Sequence, residues 1–319
     1  MKTSLAAIAA KLKNMAGKRV AVFLHVRPDG DAVGGALGLR FALEEIGVLC
    51  DVYCADVIPE KFLFLQGAKE IRREWNGKYD AHIAVDCSDA ARMGEFGGVF
   101  FSVKETYNID HHVSNARYAK YNYVGDTASN SENLFDLCEK MGAHILPPAA
   151  TAFLTGVITD SGNFAHSNTT AMTLYIAAEL KRRGADSQTI NYKMFKEQTA
   201  ARAKLFGMTA SEIRYFEEGR IGIMSITQKM LEESGAKAEE TEGFIDFLMG
   251  VNTVEVGMCL MEMKDKNYKV SFRSKKTDVN AVAQVFGGGG HKLASGCMIG
   301  GYYEEVVDKL VSVCKRYME

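Results

Sequence analysis

Residues 19–26 (RVAVFLHV) form an almost continuous apolar run, the pattern of a strand buried on both faces of a parallel sheet. The run breaks at Pro28–Asp31. Ala36, Leu39, Leu43 and Ile46 then recur at three- and four-residue spacing, which predicts a helix starting near Val33. Strand-like runs return at 48–55 (VLCDVYCA), 82–88 (HIAVDCS) and 106–112 (TYNIDHH). Helical periodicity follows over about 131–142, 148–160 and 170–183. Ahead of all of these, Leu5, Ile8, Leu12 and Met15 lie at helical spacing. Lys11 and Lys13 interrupt the apolar stretch there, so it reads as an amphipathic helix packed on the body rather than a leader peptide. Alternation of strand and helix predicts a parallel sheet with helices on both sides.

The second half has a different rhythm. Periodicity fails around Gly184–Ser187, and 188–211 reads as a helical connector. The segments 220–227, 253–261 and 268–274 then alternate apolar and polar residues, as half-buried antiparallel strands do. A glycine-rich GGGGH at 287–291 precedes a last helix ending at Met318. The fold class expected is therefore α/β. A parallel doubly wound sheet domain spans 1–190, a helical linker 191–212, and a smaller α/β domain with a mixed sheet 213–319. At roughly 100–200 residues per domain, 319 residues fit this division.

Composition narrows the class. The chain is 47% hydrophobic and 24% charged, with a net charge of -2. That balance argues against a sequence-independent grip on long duplex DNA, which needs a broadly basic face. No apolar run reaches the ~18 residues of a membrane span. The seven cysteines are scattered and contain no CxxC pair, so free thiols in a reducing cytoplasm are expected.

Seven histidines are present, and several stand beside carboxylates at predicted strand ends. His25 ends the first strand, with Asp29 and Asp31 close behind. Asp86 ends a later one, and Asp110, His111 and His112 end another. Asp160 lies in GVITDSG. In an open parallel sheet the carboxyl ends of the strands share one edge, where ligands bind, so these segments can converge. Taken singly, an Asp after a strand commonly caps a helix. Together they make a hard oxygen-and-imidazole donor set suited to manganese, iron, magnesium or zinc, with manganese a good match. The set is too large for one four-coordinate ion. Two ions ~3.5–4 Å apart, sharing a carboxylate and a hydroxide, would use it and would serve phosphoryl chemistry. His82 and His144 are left out as ordinary structural residues. His166, shortly after Asp160, is weighed as a substrate contact and set aside.

In the C-terminal domain, Gly287–Gly290 allow close backbone approach or an anion-binding turn, though a flexible connector has the same composition. The neighbouring 264–276 (KDKNYKVSFRSKK) carries six basic residues and one acid. On that strand Tyr268, Val270 and Phe272 should face one way and Lys269 and Arg273 the other. Such a basic face would attract a polyanion; a solvated edge strand would look alike.

The segments HVRPDGDAVGGALGL, AVDCSD, IDHHVSN and GVITDSGNF resemble the four motifs of the DHH phosphoesterase family. GGGGHKLASG resembles the signature of its DHH-associated C-terminal domain. The size and two-domain plan are similar to the nanoRNase group, which hydrolyses short oligoribonucleotides and 3'-phosphoadenosine 5'-phosphate. The resemblance implies that His25, Asp29 and Asp86 hold a first metal. Asp31, His111 and Asp160 would hold a second, with Asp86 bridging. His112 would face the scissile phosphate, and Asp110 would hydrogen-bond a histidine ring. Gly288, Gly289, Gly290 and His291 would bind the nucleotide, and Arg273 a phosphate. A metal-bridging hydroxide would attack phosphorus in line. One departure is Gly35, where the family often has Ser; its expected effect is on a phosphate contact.

The implied cofactors are two divalent ions, most naturally manganese. The implied partners are short single-stranded RNA or small nucleotides, with neither long duplex DNA nor a membrane; a homodimer stays open. The expected location is cytoplasmic. A cyclic di-AMP or linear dinucleotide phosphodiesterase is the alternative activity. A catalytically silent nucleotide-binding protein is the alternative from another class.

Overall fold

The computed structural model describes residues 3–318. The chain divides into two compact units, one ending at Glu197 and the other beginning at Gln198.

The first unit opens with helix α1 (Leu5–Lys13), capped by the Ser4 side chain. Strand β1 (Arg19–Phe23), helix α2 (Gly30–Glu45) and strand β2 (Leu49–Tyr53) follow. Next come β3 (Ala81–Val85), a single-turn α3 (Phe96–Val99), β4 (Glu105–Asp110) and β5 (Tyr121–Val124). Helices α4 (Asn130–Met141), α5 (Pro147–Asp160), α6 (Ala171–Arg182) and α7 (Ser187–Asn191) complete it. The five strands are parallel throughout, in the order β2-β1-β3-β4-β5. Because β1 pairs with β2 on one side and β3 on the other, the order reverses between β1 and β3. That switch point opens a crevice at the carboxyl ends of the strands.

Alternate side chains explain the two cores. Val20, Val22, Ile83, Val85, Tyr107 and Ile109 are buried with the apolar faces of α1, α2, α4 and α5. Leu5, Ile8, Leu12 and Met15 all enter this core, so the N-terminal amphipathic stripe packs on the body. Ala21, Phe23 and Ala84 point the other way, into an aromatic layer with Tyr53, Tyr79, Phe96 and Phe100. This second face is covered by short helical turns rather than long helices. Two glycines let α2 and α5 cross closely. A Cβ at Gly34 would lie 2.3 Å from the Ala152 carbonyl oxygen, and one at Gly156 would lie 2.5 Å from Asp31 Oδ1 of α2.

The second unit contains α8 (Ala200–Ser211), β6 (Arg214–Phe216), β7 (Ile221–Ile226), α9 (Gln228–Ser234) and α10 (Phe244–Met249). It continues with β8 (Val256–Glu262), β9 (Asn267–Ser274), α11 (Val279–Val285), β10 (Gly289–His291), β11 (Ala294–Gly300) and α12 (Tyr303–Lys315). Its six strands form a mixed sheet in the order β10-β11-β9-β8-β7-β6. Three sequence expectations change here. The segment 188–211 is not one helix: α7, a π-helical turn at Tyr192–Lys196 and α8 divide it. Leu205 of α8 is buried with Met224, Ile226 and Phe244 of the second unit. β7 and β8 pair in parallel, not antiparallel, because the long crossover through α9 and α10 returns the chain to its starting side.

The glycine stretch is the third change. Gly289–His291 is a strand paired antiparallel with β11. The amides of Gly287, Gly288 and Gly290 donate to Gln284 O, Ala283 O and Asn280 Oδ1. These three amides are therefore engaged within the fold. Glycine is required instead by contact: a Cβ at Gly288 would lie 2.2 Å from Gly296 O, and one at Gly290 2.6 Å from Ala294 O.

Candidate metal centre and its surroundings

Four chain segments deliver side chains to the carboxyl edge of the first sheet. β1 runs into His25, which is 2% exposed. Its Nδ1 lies 2.9 Å from Val26 O; a ring N–H facing a carbonyl donates, so Nε2 is the free nitrogen. That Nε2 is 3.8 Å from Asp29 Oδ1 and 3.5 Å from Asp86 Oδ2.

Asp29 is the N-cap of α2, accepting from the amides of Asp31 and Ala32. Asp31, the second residue of α2, reaches another helix. Its carboxylate accepts from Asn130 N at 2.5 Å and Ser131 N at 2.9 Å, satisfying amides at the start of α4. Asp86 follows β3 with a left-handed backbone (φ 57), a conformation Asp tolerates better than most residues. It caps nothing. Oδ2 faces His25, while Oδ1 is 3.4 Å from His111 Nε2 and 3.5 Å from His112 Nδ1. Asp160 is the last residue of α5, and its Oδ2 is 3.6 Å from His111 Nε2. His111 Nδ1 faces Thr127 O at 3.2 Å, which again frees Nε2 for the cluster.

Three overlapping groups result: His25, Asp29 and Asp86; Asp31, His111 and Asp160; and Asp86, Asp110, His111 and His112. Within each, donor atoms lie within 4.8 Å of one another. Asp110 differs from Asp86 because both of its oxygens are occupied. Oδ1 accepts from His111 N, His112 N and His112 Nδ1, and Oδ2 accepts from Asn115 Nδ2.

The electrostatics of the cluster favour a bound cation. Burial and the nearby carboxylates Asp31, Asp86 and Asp29 push Asp160 up to about 9. Burial and Asp86 push Asp31 up to about 7. Burial works against a charged His25, but the facing carboxylates of Asp29 and Asp86 outweigh it and carry the ring to about 10. His111 likewise reaches about 10 through Asp86 and Asp31. Asp86 is pulled well below the carboxylate range by His111 and His25, against the effect of burial. Crowded carboxylates thus retain protons that a cation would displace.

Divalent cations fit these residues. Asp86 Oδ1 is buried with no hydrogen-bond partner, although buried polar atoms are almost always satisfied. The His–Asp separations of 3.4–4.0 Å around Nε2 of His25 and His111 exceed normal hydrogen bonds. They approach the roughly 3–3.5 Å edges of a polyhedron whose corners lie ~2.1 Å from an ion. All-oxygen and imidazole donors suit a hard or borderline ion.

Other residues weighed in the sequence lie elsewhere. His82 is buried, with Nδ1 on Phe100 O and aromatic neighbours. His166 reaches the Asp160 backbone carbonyl, not its carboxylate. Gly35 sits in the α2/α4 packing, where a Cβ would lie 2.8 Å from Leu134 Cδ1, so no phosphate contact arises there. In the second unit, Arg273 of β9 and His291 of β10 are both register partners of Ala294. They therefore share one row and one face of that sheet. Asn115, Asn130 and Ser131 were not anticipated as parts of the site. Asn115 is the last residue of the IDHHVSN segment. The buried polar run Ser129–Asn133 carries no signal separating it from an exposed helix start.

A parallel sheet with this edge cluster, followed by a smaller mixed-sheet unit, is a two-unit architecture able to hold divalent ions at one sheet edge. The chain belongs to the DHH family: residues 19–157 match the DHH family N-terminal domain and residues 223–319 the DHHA1 domain. It is 29% identical over 308 residues to a bifunctional oligoribonuclease and PAP phosphatase of Thermus thermophilus, covering 94% of this chain and 91% of the relative. It is 27% identical to the Bacillus subtilis protein of the same name, over 92% and 94% of the two chains. A crystal structure of an exopolyphosphatase-related protein from Bacteroides fragilis matches with a TM-score of 0.81 at 26% identity, covering 98% of this chain and 96% of the other. Among the described residues no helix is long and apolar enough to cross a membrane.

Proposed function

We propose that this protein hydrolyses short oligoribonucleotides to mononucleotides and 3'-phosphoadenosine 5'-phosphate to AMP, using two divalent ions, with manganese the best match to its donors. The observation that carries the reading is Asp86, whose two oxygens face different histidines at the meeting of the two ligand groups. Full-length likeness to relatives that carry both activities in their names supports the substrate class.

In this reading His25, Asp29 and Asp86 hold one ion, and Asp31, His111 and Asp160 the other, with Asp86 shared. Bound divalent ions supply a nucleophile near neutral pH and offset charge on the transferring phosphoryl group. The chain's own groups do the rest. Asp110 fixes the proton of His112 on Nδ1, which leaves Nε2 to orient the phosphate or to hand a proton to the leaving oxygen. Asn115 holds Asp110 in turn. Arg273 and His291 bind the nucleotide beside the glycine-rich stretch Gly288–Gly290, which lets the chain pass close, and the unit from Gln198 onward is the substrate-binding part.

The test is turnover on 3'-phosphoadenosine 5'-phosphate, a linear diribonucleotide and a cyclic dinucleotide, after chelation and metal add-back. Manganese should restore hydrolysis of the first two, better than zinc or calcium. Undiminished activity after complete chelation overturns the reading. A marked preference for the cyclic substrate corrects the substrate class.

A further inference from the structure

Arg92 lies just beyond Asp86, in the 3-10 turn Ala90–Met93. Its backbone is tied at two points: Arg92 N donates to the Asp89 side chain, and Arg92 O accepts from Val26 N at 2.7 Å. The second bond joins this turn to the residue after His25. The guanidinium is thereby held against the metal cluster, with Nη2 at 3.3 Å from His25 Nδ1.

That contact is not a satisfied hydrogen bond. Nδ1 already points its proton at Val26 O, and arginine has donors only, so two N–H groups face each other. No carboxylate lies within ion-pair distance of Arg92 among the described residues, although Asp86 is near in sequence. An exposed guanidinium without an acceptor, anchored by its backbone beside the buried His25 ring, is placed for an incoming anion. Arginine matches phosphate oxygens with a fork of parallel N–H donors. Arg27 and Arg117, on the two neighbouring loops, are also exposed, but they bond through their backbone amides, to Asp56 Oδ2 and Asn115 Oδ1.

We propose that Arg92 binds the non-bridging oxygens of the phosphoryl group that reacts at the metal centre. This assignment rests on the phosphoesterase reading and is tested apart from it.

The probe is inorganic phosphate, titrated into the full chain with excess magnesium, for wild type, Arg92→Ala, Arg92→Lys and Arg117→Ala. Metal content is measured on each. Arg92→Ala should keep its metal and weaken phosphate about tenfold to hundredfold, the usual effect of losing charge-assisted hydrogen bonds. Arg92→Lys should recover part of the loss, and kcat/KM on 3'-phosphoadenosine 5'-phosphate should fall in parallel. A phosphate Kd within threefold of wild type in metal-loaded Arg92→Ala overturns the assignment. So does an equal loss in Arg117→Ala, which would reveal only a general charge effect. If the wild type binds phosphate through Arg92 yet hydrolyses none of the nucleotides, the phosphate site stands and the proposed activity falls.

Discussion

Asp110 Oδ1 accepts a hydrogen bond from His112 Nδ1 at 2.8 Å, and Asn115 Nδ2 holds the other oxygen of the same carboxylate at 2.5 Å. Asn115 also donates to Asn108 Oδ1 and Cys87 O, so the chain of contacts is braced against β3 and β4. It aligns His112 and raises its pKa, chiefly through Asp110. Asp110→Asn would offer the ring an amide and disturb its tautomer. We expect kcat to fall about a hundredfold with metal content unchanged. Asn115→Ala should lower kcat by about tenfold and shift the acid limb of its pH profile, because Asp110 loses its brace. Metal analysis together with kcat against pH checks both; unchanged pH profiles would show that Asn115 acts only in folding.

Asp86 is the residue on which both ligand groups depend. Asp86→Ala should lose both ions and about three orders of magnitude in turnover. Asp29→Ala should be milder, because Asp29 lies at the exposed edge of its group. Metal stoichiometry after dialysis separates the two variants. Near-normal turnover with bound manganese in Asp86→Ala would overturn the shared-ligand assignment.

Protons should leave when metal enters. In the metal-free protein His25 and His111 titrate at about 10 and Asp160 at about 9, so all three are largely protonated at pH 7.5. Ligation requires them deprotonated, so binding should release about one to three protons. Calorimetry in buffers of different ionisation enthalpy measures this. The sign for stability follows from the same groups. Each has a folded pKa above its unfolded value, so the native state binds more protons than the unfolded state in the intervening range. The metal-free protein should therefore lose stability as pH rises from about 7 to 10. The depressed Asp86 has already made its contribution by neutral pH. Excess divalent ion should flatten the loss, and melting temperatures across this range provide the check.

Much of the site was legible because its side chains sit where apolar patterns end. His25, Asp86 and Asp110–His112 each follow a buried run, and parallel topology brings such ends to one edge. What was not legible depends on partners distant in sequence. Strand β5 is short and places Asn122 in the interior, which spoils any apolar signature. The parallel pairing of β7 and β8 is set by a crossover, not by either strand's own residues. Strand β10 is glycine-rich, so little side-chain alternation marks it. Arg92 carries no signal of its own in the sequence, because what places it is the bond from Val26 N to its carbonyl.

Gly156 joins packing to the metal centre. A Cβ there would lie 2.1 Å from Ser131 Oγ and 2.5 Å from Asp31 Oδ1. Neither neighbour retreats freely: Asp31 is buried and bonded to the first amides of α4, and Ser131 is fixed at the start of that helix. Gly156→Ala should therefore destabilise the fold by about 1–3 kcal/mol through overpacking and weaken divalent-ion binding by moving Asp31. Gly207 is the control. It also lies inside a helix, α8, but a Cβ there meets nothing within 4 Å. Gly207→Ala should be stabilising by about 0.5–1 kcal/mol with metal affinity unaltered. Denaturant unfolding with metal titration distinguishes the cases. Equal behaviour of the two variants would show that the α2/α5 crossing has slack, and that Asp31 is not held against Gly156.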